Sequence, residues 1–146
     1  MSRCTVRYCL PTLIALLAVP ELVMSQQEGS HGLVVRRIIG VNYPRLANLA
    51  GIQGSVELTA KVAASGNVES IRTNSGHELL VDSAKQALQG WKFRCATPGS
   101  SCEANVTFKF VLLNEICDQS ACSTDFAVDL PNIVTVRTKR LHAMVD

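Results

Sequence analysis

The side chains that could carry out acid–base, nucleophilic or metal chemistry are few in this chain and lie far apart in its sequence. The three histidines are His31, His77 and His142, and none shares a helix or strand face with a cysteine or an acidic residue at ligand spacing. Ser75 has no base placed to activate it as a nucleophile. We therefore predict a protein that is not an enzyme and that holds neither a metal ion nor a cofactor.

The cysteines offer a different chemistry, which is disulfide formation. Cys95, Cys102, Cys117 and Cys122 follow the N-terminal region, and in an exported chain they predict two disulfides, with three pairings open. The Pro98-Gly99 pair favours a tight turn that would place Cys95 opposite Cys102 across a hairpin, and Cys117 and Cys122 would then close the loop at 118–121. The alternative, a four-cysteine zinc site, lacks the close two-residue spacing typical of zinc ligands.

The N-terminal region has the features of a secretory signal peptide. Arg3 and Arg7 precede an apolar run at 9–19, and the residues before Gln26 suit cleavage there. Two prolines and a glutamate interrupt the apolar stretch, which is short for a membrane span of about 20 residues. We expect residues 1–25 to be removed and residues 26–40 to form a flexible leader. The alternative is an uncleaved membrane anchor.

Length and charge limit the class of protein further. The chain has 146 residues, enough for one domain with a modest core. The formal net charge is only +2, and the lysines and arginines are scattered rather than clustered on one face. We therefore expect no nucleic-acid partner, and a membrane partner only if the N-terminal segment is uncleaved.

The first amphipathic pattern predicts a helix of about two turns. Pro44 suits its first position, because proline lacks the N–H that this position does not need. Leu46, Leu49 and Ala50 form its apolar face, and Gly51 ends it.

The second amphipathic pattern predicts a longer helix. Ser75 and Glu78 form a capping box at its start. The residues that it and the segment after it bury recur at helical spacing: Leu80, Ala84, Ala87, Leu88 and Trp91.

Alternation of apolar and polar residues predicts an antiparallel sheet. Residues 55–62 form the first strand, with Thr59 among the residues that face water. A turn at Gly66 leads to a second strand at 68–73, where the apolar spacing indicates a bulge between Val68 and Ile71. Residues 103–112 form the third strand, and residues 133–138 form one more near the C-terminus.

The order and spacing of these features resemble the C-terminal domain of TonB, the periplasmic module that contacts outer-membrane transporters. The resemblance covers residues 43–112 and implies an α+β fold, with two helices packed on a three-stranded antiparallel sheet. The domain would span residues 41–113, and residues 114–146 would add a cystine loop, a C-terminal strand and a tail. The matching residues include Tyr43, Pro44, Gly51, Gly54, Gly66, Ser75, Gly76 and Trp91.

The resemblance also implies a function. In TonB the third strand lies at the sheet edge and pairs with an extended transporter segment, the TonB box, by strand addition. The implied partner is an outer-membrane TonB-dependent transporter, or a similar extended protein segment, in the periplasm. A free edge also leaves homodimerisation open. The corresponding edge in this chain comprises Ala104, Asn105, Val106, Thr107, Phe108, Lys109, Phe110 and Val111.

Two alternatives stand beside this interpretation. The segment at 9–24 lacks the His and Ser of TonB's membrane helix, and no long proline-rich spacer precedes Tyr43. An inner-membrane energy transducer with a degenerate anchor is therefore the second interpretation. The third is a self-capped structural domain without a peptide ligand, in which the strand at 133–138 folds back along the third strand. Covered and open edges are equally favoured, since proteins usually block an exposed edge.

Overall fold

The computed structural model describes residues 33–118, 122–129 and 132–142, so the predicted signal peptide at 1–25 lies outside the described residues. In this part of the chain no helix is long and apolar enough to cross a membrane. The elements are β1 (Val34–Arg37), α1 (Arg45–Leu49), β2 (Gly54–Val62), β3 (Val68–Ser75), α2 (Glu78–Gln89), β4 (Lys92–Arg94), β5 (Cys102–Cys117), β6 (Thr124–Asp129) and β7 (Ile133–Leu141).

The main sheet has five strands in the order β3-β2-β5-β7-β6. β2 pairs antiparallel with both β3 and β5. β7 then adds parallel to β5, and β6 adds antiparallel to β7. The fold is α+β, but its sheet is mixed and five-stranded, where the sequence predicted a three-stranded antiparallel sheet with one added strand. β5 also continues to Cys117, because its pairing with β7 outlasts the alternation that ends at Leu112.

The core lies between one face of this sheet and the two helices. The alternating residues of β2, β5 and β7 point to the same side, as period-two geometry requires. Full burial of one large apolar side chain contributes about 1.5–3 kcal/mol, so this single apolar layer stabilises the domain. The largest fully buried side chains are those of Trp91, Phe108, Phe110, Leu58, Leu80, Leu88, Val56, Val62, Val134 and Val136.

The first helix differs from its prediction. α1 has only five residues, and Pro44 is its N-cap with extended backbone rather than its first helical residue. Leu46 and Leu49 are 67% and 43% exposed, so the predicted apolar face was wrong. The helix instead buries Ala47 and Asn48. A helix this short packs only one side, and here that side is set by contact with β7 and α2.

The start of the second helix also differs. Ser75 is the last residue of β3 and pairs with Glu57, so it does not cap the helix and the predicted capping box was wrong. His77 is the N-cap, and its Nδ1 accepts a hydrogen bond from the Leu79 N–H at 3.3 Å. The main-chain pairing of β3 extends further than its side-chain alternation indicated, and the turn into the helix then begins at Gly76.

β3 contains two β-bulges. Lys61 pairs with Ser70 and Val62 with Val68, so the residue between, Glu69, is extra, which confirms the predicted bulge. A second irregularity makes Asn74 extra between the pairings of Leu58 with Thr73 and Glu57 with Ser75. The side chain of Asn74 turns back to donate to the Thr59 hydroxyl at 2.8 Å. Thr59 is consequently buried, although alternation predicted it in water.

Part of the predicted leader is structured. β1 lies within 26–40 and pairs antiparallel with β4, with Val35 opposite Phe93. The indole N–H of Trp91 donates to the Ile39 carbonyl at 3.1 Å, which attaches the segment after β1 to the core.

Candidate functional site

Two cystines bracket the strand at which the sequence predicts binding. Cys95 is bonded to Cys102 and Cys117 to Cys122, which is the pairing that the sequence favoured. β4 pairs with β1 rather than with β5, so the first cystine closes a loop and does not bridge a regular hairpin. Within the described ranges no three His, Cys, Asp or Glu side chains come close enough to hold a metal ion.

The predicted binding strand lies inside the sheet over most of its length. β2 pairs with one side of β5, and β7 pairs with the other side in a parallel register that runs from Thr107 opposite Ile133 to Cys117 opposite Leu141. The Thr107 N–H donates to the Asn132 carbonyl at 2.8 Å. Of the two states that the sequence left open, the structure shows the covered edge. Of the predicted edge, only Ala104, Asn105 and Val106 lie before the residues that pair with the described part of β7.

The side chains of the predicted edge divide between two faces. Those of Ala104, Val106, Phe108 and Phe110 are buried in the core. The odd-numbered residues face the other side of the sheet, where Asn105 accepts a hydrogen bond from the Thr59 hydroxyl at 2.8 Å. On that outer face Lys109 is exposed, whereas Thr107 and Val111 are half-buried beside β7.

β7 is an integral part of the core. Val134 and Val136 are 1% and 0% exposed. The buried Asn48 of α1 holds the far end of the strand, because its amide donates to the Lys139 carbonyl at 2.8 Å and accepts from the Leu141 N–H at 2.9 Å. Asn48 therefore pairs with the main chain of β7 as another strand would. The alternation of residues 44–50 could not indicate this role, since Asn is not apolar.

The two ends of the sheet differ in regularity. β3 forms one end, and its two bulges and exposed charged side chains are features that oppose pairing with another strand. β6 forms the other end and pairs with β7 over six residues without a register shift. Among the described residues nothing pairs with its outer side. The sequence analysis missed β6, although the alternation of Phe126 and Val128 with polar or small residues could have indicated it.

The register determines which main-chain groups of β6 face outward. Since Thr107 bonds to Asn132, the even-numbered residues of β7 direct their main-chain groups to β5. The odd-numbered residues of β7 then bond to their odd-numbered partners on β6. Because direction alternates along a strand, the outward N–H and C=O groups of β6 are those of Thr124, Phe126 and Val128.

The signature residues support the scaffold rather than the edge. Gly66 has φ +85°, and a Cβ there would lie 2.1 Å from the Phe93 carbonyl oxygen, so only glycine fits. The Tyr43 hydroxyl donates to the Ile52 carbonyl at 2.5 Å, which joins the start of α1 to the approach to β2. Trp91 is buried at the end of α2. The remaining signature residues, Pro44, Gly51, Gly54, Ser75 and Gly76, lie at element ends or turns.

The surface of the described residues has small cavities, two of which are candidates for an active site. One, of about 190 Å³, is bordered by Tyr43, Asn48, Cys122, Thr138 and Leu141, among others. The second, of about 200 Å³, lies beside the loop that the first cystine closes. Neither brings together a nucleophile and a base, so neither has the geometry of an active site.

Comparison with known proteins shows the family of this chain. Residues 40–112, half of the chain, match the family described as "Gram-negative bacterial TonB protein C-terminal". The chain belongs to the TonB C-terminal family. A similar solved structure is the solution NMR structure of the Pseudomonas aeruginosa TonB C-terminal domain, with 21% identity, a TM-score of 0.44, and coverage of 54% of this chain and 85% of that one. No curated protein matches the sequence.

Family membership implies protein–protein interaction and involvement in TonB-dependent transport in a Gram-negative envelope. The match ends at Leu112, within β5. The end of β5, the second cystine, β6 and β7 therefore lie outside the part that matches the family. Among them, β7 covers the predicted edge from Thr107 onward.

Proposed function

We propose that this protein is a non-catalytic, periplasmic protein-binding module that takes part in TonB-dependent transport across the outer membrane. It recognises an extended segment of a partner, such as an outer-membrane transporter, by strand addition. The observation that carries this proposal is β7 itself, which lies along β5 as an added parallel strand with nine paired residues. Main-chain donors and acceptors supply most of the affinity in such pairing, and side chains supply selectivity.

β7 occupies the predicted edge from Thr107 to Val111, which makes the domain self-capped over this stretch. A strand tethered within the same chain has an effective concentration on the order of millimolar. A partner segment at micromolar concentration with equal affinity would be outcompeted by about a thousandfold. Displacement would also expose Val134 and Val136, each of which contributes about 1.5–3 kcal/mol when buried. The partner therefore adds to main-chain groups that β7 leaves free.

Apart from the irregular outer side of β3, two places in the described sheet have such groups. One is the start of β5 at 104–106, before the described start of β7, and the other is the outer side of β6. In this proposal the domain still binds a partner strand, but at a different edge of the sheet from the one that β7 covers.

The proposed location is the periplasm, after cleavage before Gln26. Intact mass of the protein recovered from its native envelope without reductant distinguishes this form from the anchored alternative. We expect the mass of a chain that begins at Gln26, lighter by four hydrogens than its reduced form because two disulfides are present. A membrane-retained, full-length mass would favour the anchored transducer.

Strand addition has a period-two signature that tests the mechanism. Peptides corresponding to the TonB boxes of transporters from the same cell are titrated against the purified protein by calorimetry. Each peptide position is then N-methylated in turn, which removes one main-chain donor. We expect loss of binding at every second position and little effect between them. Absence of binding, or equal losses at all positions, would contradict the proposed function.

A further inference from the structure

We propose that the outer side of β6 is the docking strand and that it takes an extended segment in which apolar residues alternate with basic ones. This inference rests on the proposed function and names the place and the chemistry of recognition. β6 also lies beyond the part of the chain that matches the family, so the surface belongs to this chain's own extension.

The main chain of β6 is suited to pairing. Its ladder with β7 has no register shift, so the strand presents its free groups at regular spacing. The outward groups, those of Thr124, Phe126 and Val128, supply three donors and three acceptors. β3, at the opposite end of the sheet, has two bulges within eight residues and presents no such row.

One face of β6 is suited to apolar side chains. Phe126 is 45% exposed at the sheet edge, opposite the buried Val136. Its ring lies against Gly40, in the segment that leads into the core. Val128, two residues further on the same face, is half-buried and packs against the core. A partner strand would therefore place its apolar side chains beside this ring and continue the core layer outward.

The other face of β6 is acidic. Asp125 and Asp129 point to the outer side of the sheet with Ala127 between them, and within the described ranges neither forms a salt bridge. Asp125 is directly opposite Arg137 of β7, whereas Asp129 is opposite the uncharged Ile133, so Asp129 is the carboxylate without a basic cross-strand neighbour. Basic side chains at alternate positions of a partner would lie beside these carboxylates, at cross-strand distance.

The same charges disfavour a second copy of this chain as the occupant. Antiparallel pairing of two β6 strands about a two-fold axis at Ala127 would set Asp125 directly opposite Asp129 of the other copy, twice. Pairing about Phe126 would instead set Asp125 opposite Ala127 and diagonal to both aspartates of the other copy, which is still within reach of their charges. Like charges directly opposite each other destabilise a strand pair. The occupant is therefore a different segment with the opposite charge.

Charge reversal tests the chemistry of the site. The probes are two blocked heptapeptides, one alternating valine with lysine and the other alternating valine with glutamate, and their Kd values are measured by fluorescence anisotropy. The lysine peptide should bind about tenfold more tightly than the glutamate peptide, and the double substitution Asp125→Lys with Asp129→Lys should reverse that preference. The matched control is Glu103→Lys, which changes an exposed acid at the start of β5 and should leave the preference unchanged.

A second comparison tests the main-chain contact. Phe126→Ala removes the ring and keeps the N–H, whereas Phe126→Pro removes both. Proline is tolerated on an edge strand where the N–H faces solvent. Thermal unfolding followed by circular dichroism should therefore be equally cooperative for the two variants. We expect the proline variant to bind the lysine peptide about tenfold more weakly than the alanine variant.

The outcomes separate this inference from the proposed function. One outcome is that N-methylation of the lysine peptide gives the period-two pattern, while the preference for the lysine over the glutamate peptide responds to Glu103→Lys and not to the double substitution at Asp125 and Asp129. In that case the docking strand is the start of β5, and this inference is wrong. If no period-two pattern appears, strand addition itself fails. A dimer in light scattering that Phe126→Pro dissociates would identify a second copy as the occupant and would also overturn the inference.

Discussion

Gly66 is the residue at which backbone geometry and packing both require one residue type. Its φ is +85°, and the position of a Cβ would lie 2.1 Å from the Phe93 carbonyl oxygen, which is main chain and cannot move away cheaply. Gly51 has a similar φ of +69°, but a Cβ there meets nothing within 4 Å. The two glycines therefore separate the cost of the conformation from the cost of the contact.

We predict that Gly66→Ala lowers the free energy of unfolding much more than Gly51→Ala does. The matched change at Gly51 should cost about 1–2 kcal/mol, from the left-handed conformation alone. At Gly66 the same conformational cost adds to a main-chain clash, and we expect a total above about 3 kcal/mol. Urea denaturation of both variants measures the difference. Equal losses would mean that the turn shifts to relieve the contact with Phe93.

Single residues were predicted unevenly from sequence. The turn at Gly66 followed from its neighbours, because Ser65-Gly66-Asn67 is typical turn chemistry. The role of Asn48 did not, since an amide that bonds to a strand 91 residues away leaves no local pattern. His77 rather than Ser75 caps the helix, because the pairing of β3 continues to Ser75, two residues beyond the predicted end of that strand.

Among the elements, regular alternation was the reliable signal and pairing across the sheet was not. β2 and the core row of β5 follow from period-two patterns with one buried face. The parallel attachment of β7 to β5 depends on packing between segments that are distant in sequence. For the candidate site, the sequence predicted β5 as the binding edge, and only the register shows that β7 already covers this strand from Thr107 onward.

The far end of β7 provides a prediction at the level of elements. Asn48→Ala removes both bonds from α1 to this strand and leaves the Lys139 carbonyl and the Leu141 N–H without those partners. An unsatisfied buried polar group costs about 1–3 kcal/mol, so we expect a loss of about 2–4 kcal/mol in the free energy of unfolding. The Leu141 amide hydrogen should exchange with solvent faster than the loss of global stability alone explains. The exchange rates of the β2 amides should rise only as much as that loss of global stability requires.

The matched control is Asn42→Ala, which changes an exposed asparagine just before α1 and should alter stability by no more than about 0.5 kcal/mol. Native-state hydrogen exchange read by NMR resolves the two effects. If β7 is an integral strand, the Val134 and Val136 amides in the unmodified protein should exchange only through global unfolding, like those of Phe108 and Phe110. Lower protection of the β7 amides alone would show that β7 opens without global unfolding. Displacement of β7 by a partner segment would then be the favoured mode of binding.

For the whole molecule, the extension beyond the family match changes what the domain can present to a partner. The matched part ends within β5, and the added strands continue the sheet on the side where the family resemblance predicts a partner segment. Among the described strands the sheet therefore keeps one regular free end, but that end has Phe126 and two aspartates instead of the side chains of β5. In the proposed docking at β6, selectivity is set by the extension, while the matched part supplies the scaffold.

Tyr43 links the parts of this scaffold and gives a prediction for the stability of the whole domain. Its hydroxyl donates to the Ile52 carbonyl, and its ring packs edge-on against that of Phe110 in β5, with the ring centroids 5.4 Å apart. Arg140 of β7 lies near enough to lower the pKa of the phenol. Burial raises the pKa of Tyr43 from 10.0 to about 12, and the positive charge of Arg140 offsets part of this rise. Deprotonation of the phenol therefore opposes the packing of several elements at once.

The sign of the pH dependence follows from the raised pKa. Below pH 10 both the folded and the unfolded chain hold the phenol proton, so the full stabilisation is present. Between pH 10 and about 12 the unfolded chain releases the proton while the folded chain retains it, and the free energy of unfolding falls as pH rises.

Tyr43→Phe should be less stable near pH 8 by about 1 kcal/mol, because it lacks the hydrogen bond, and should show a shallower alkaline decline. Urea denaturation at several pH values compares the two proteins, and absorbance at 295 nm follows the phenol directly, since Tyr8 is the one other tyrosine and lies in the predicted signal peptide. Parallel declines, or a phenol that titrates near pH 10 in the folded protein, would show that Tyr43 does not limit the alkaline stability of the domain.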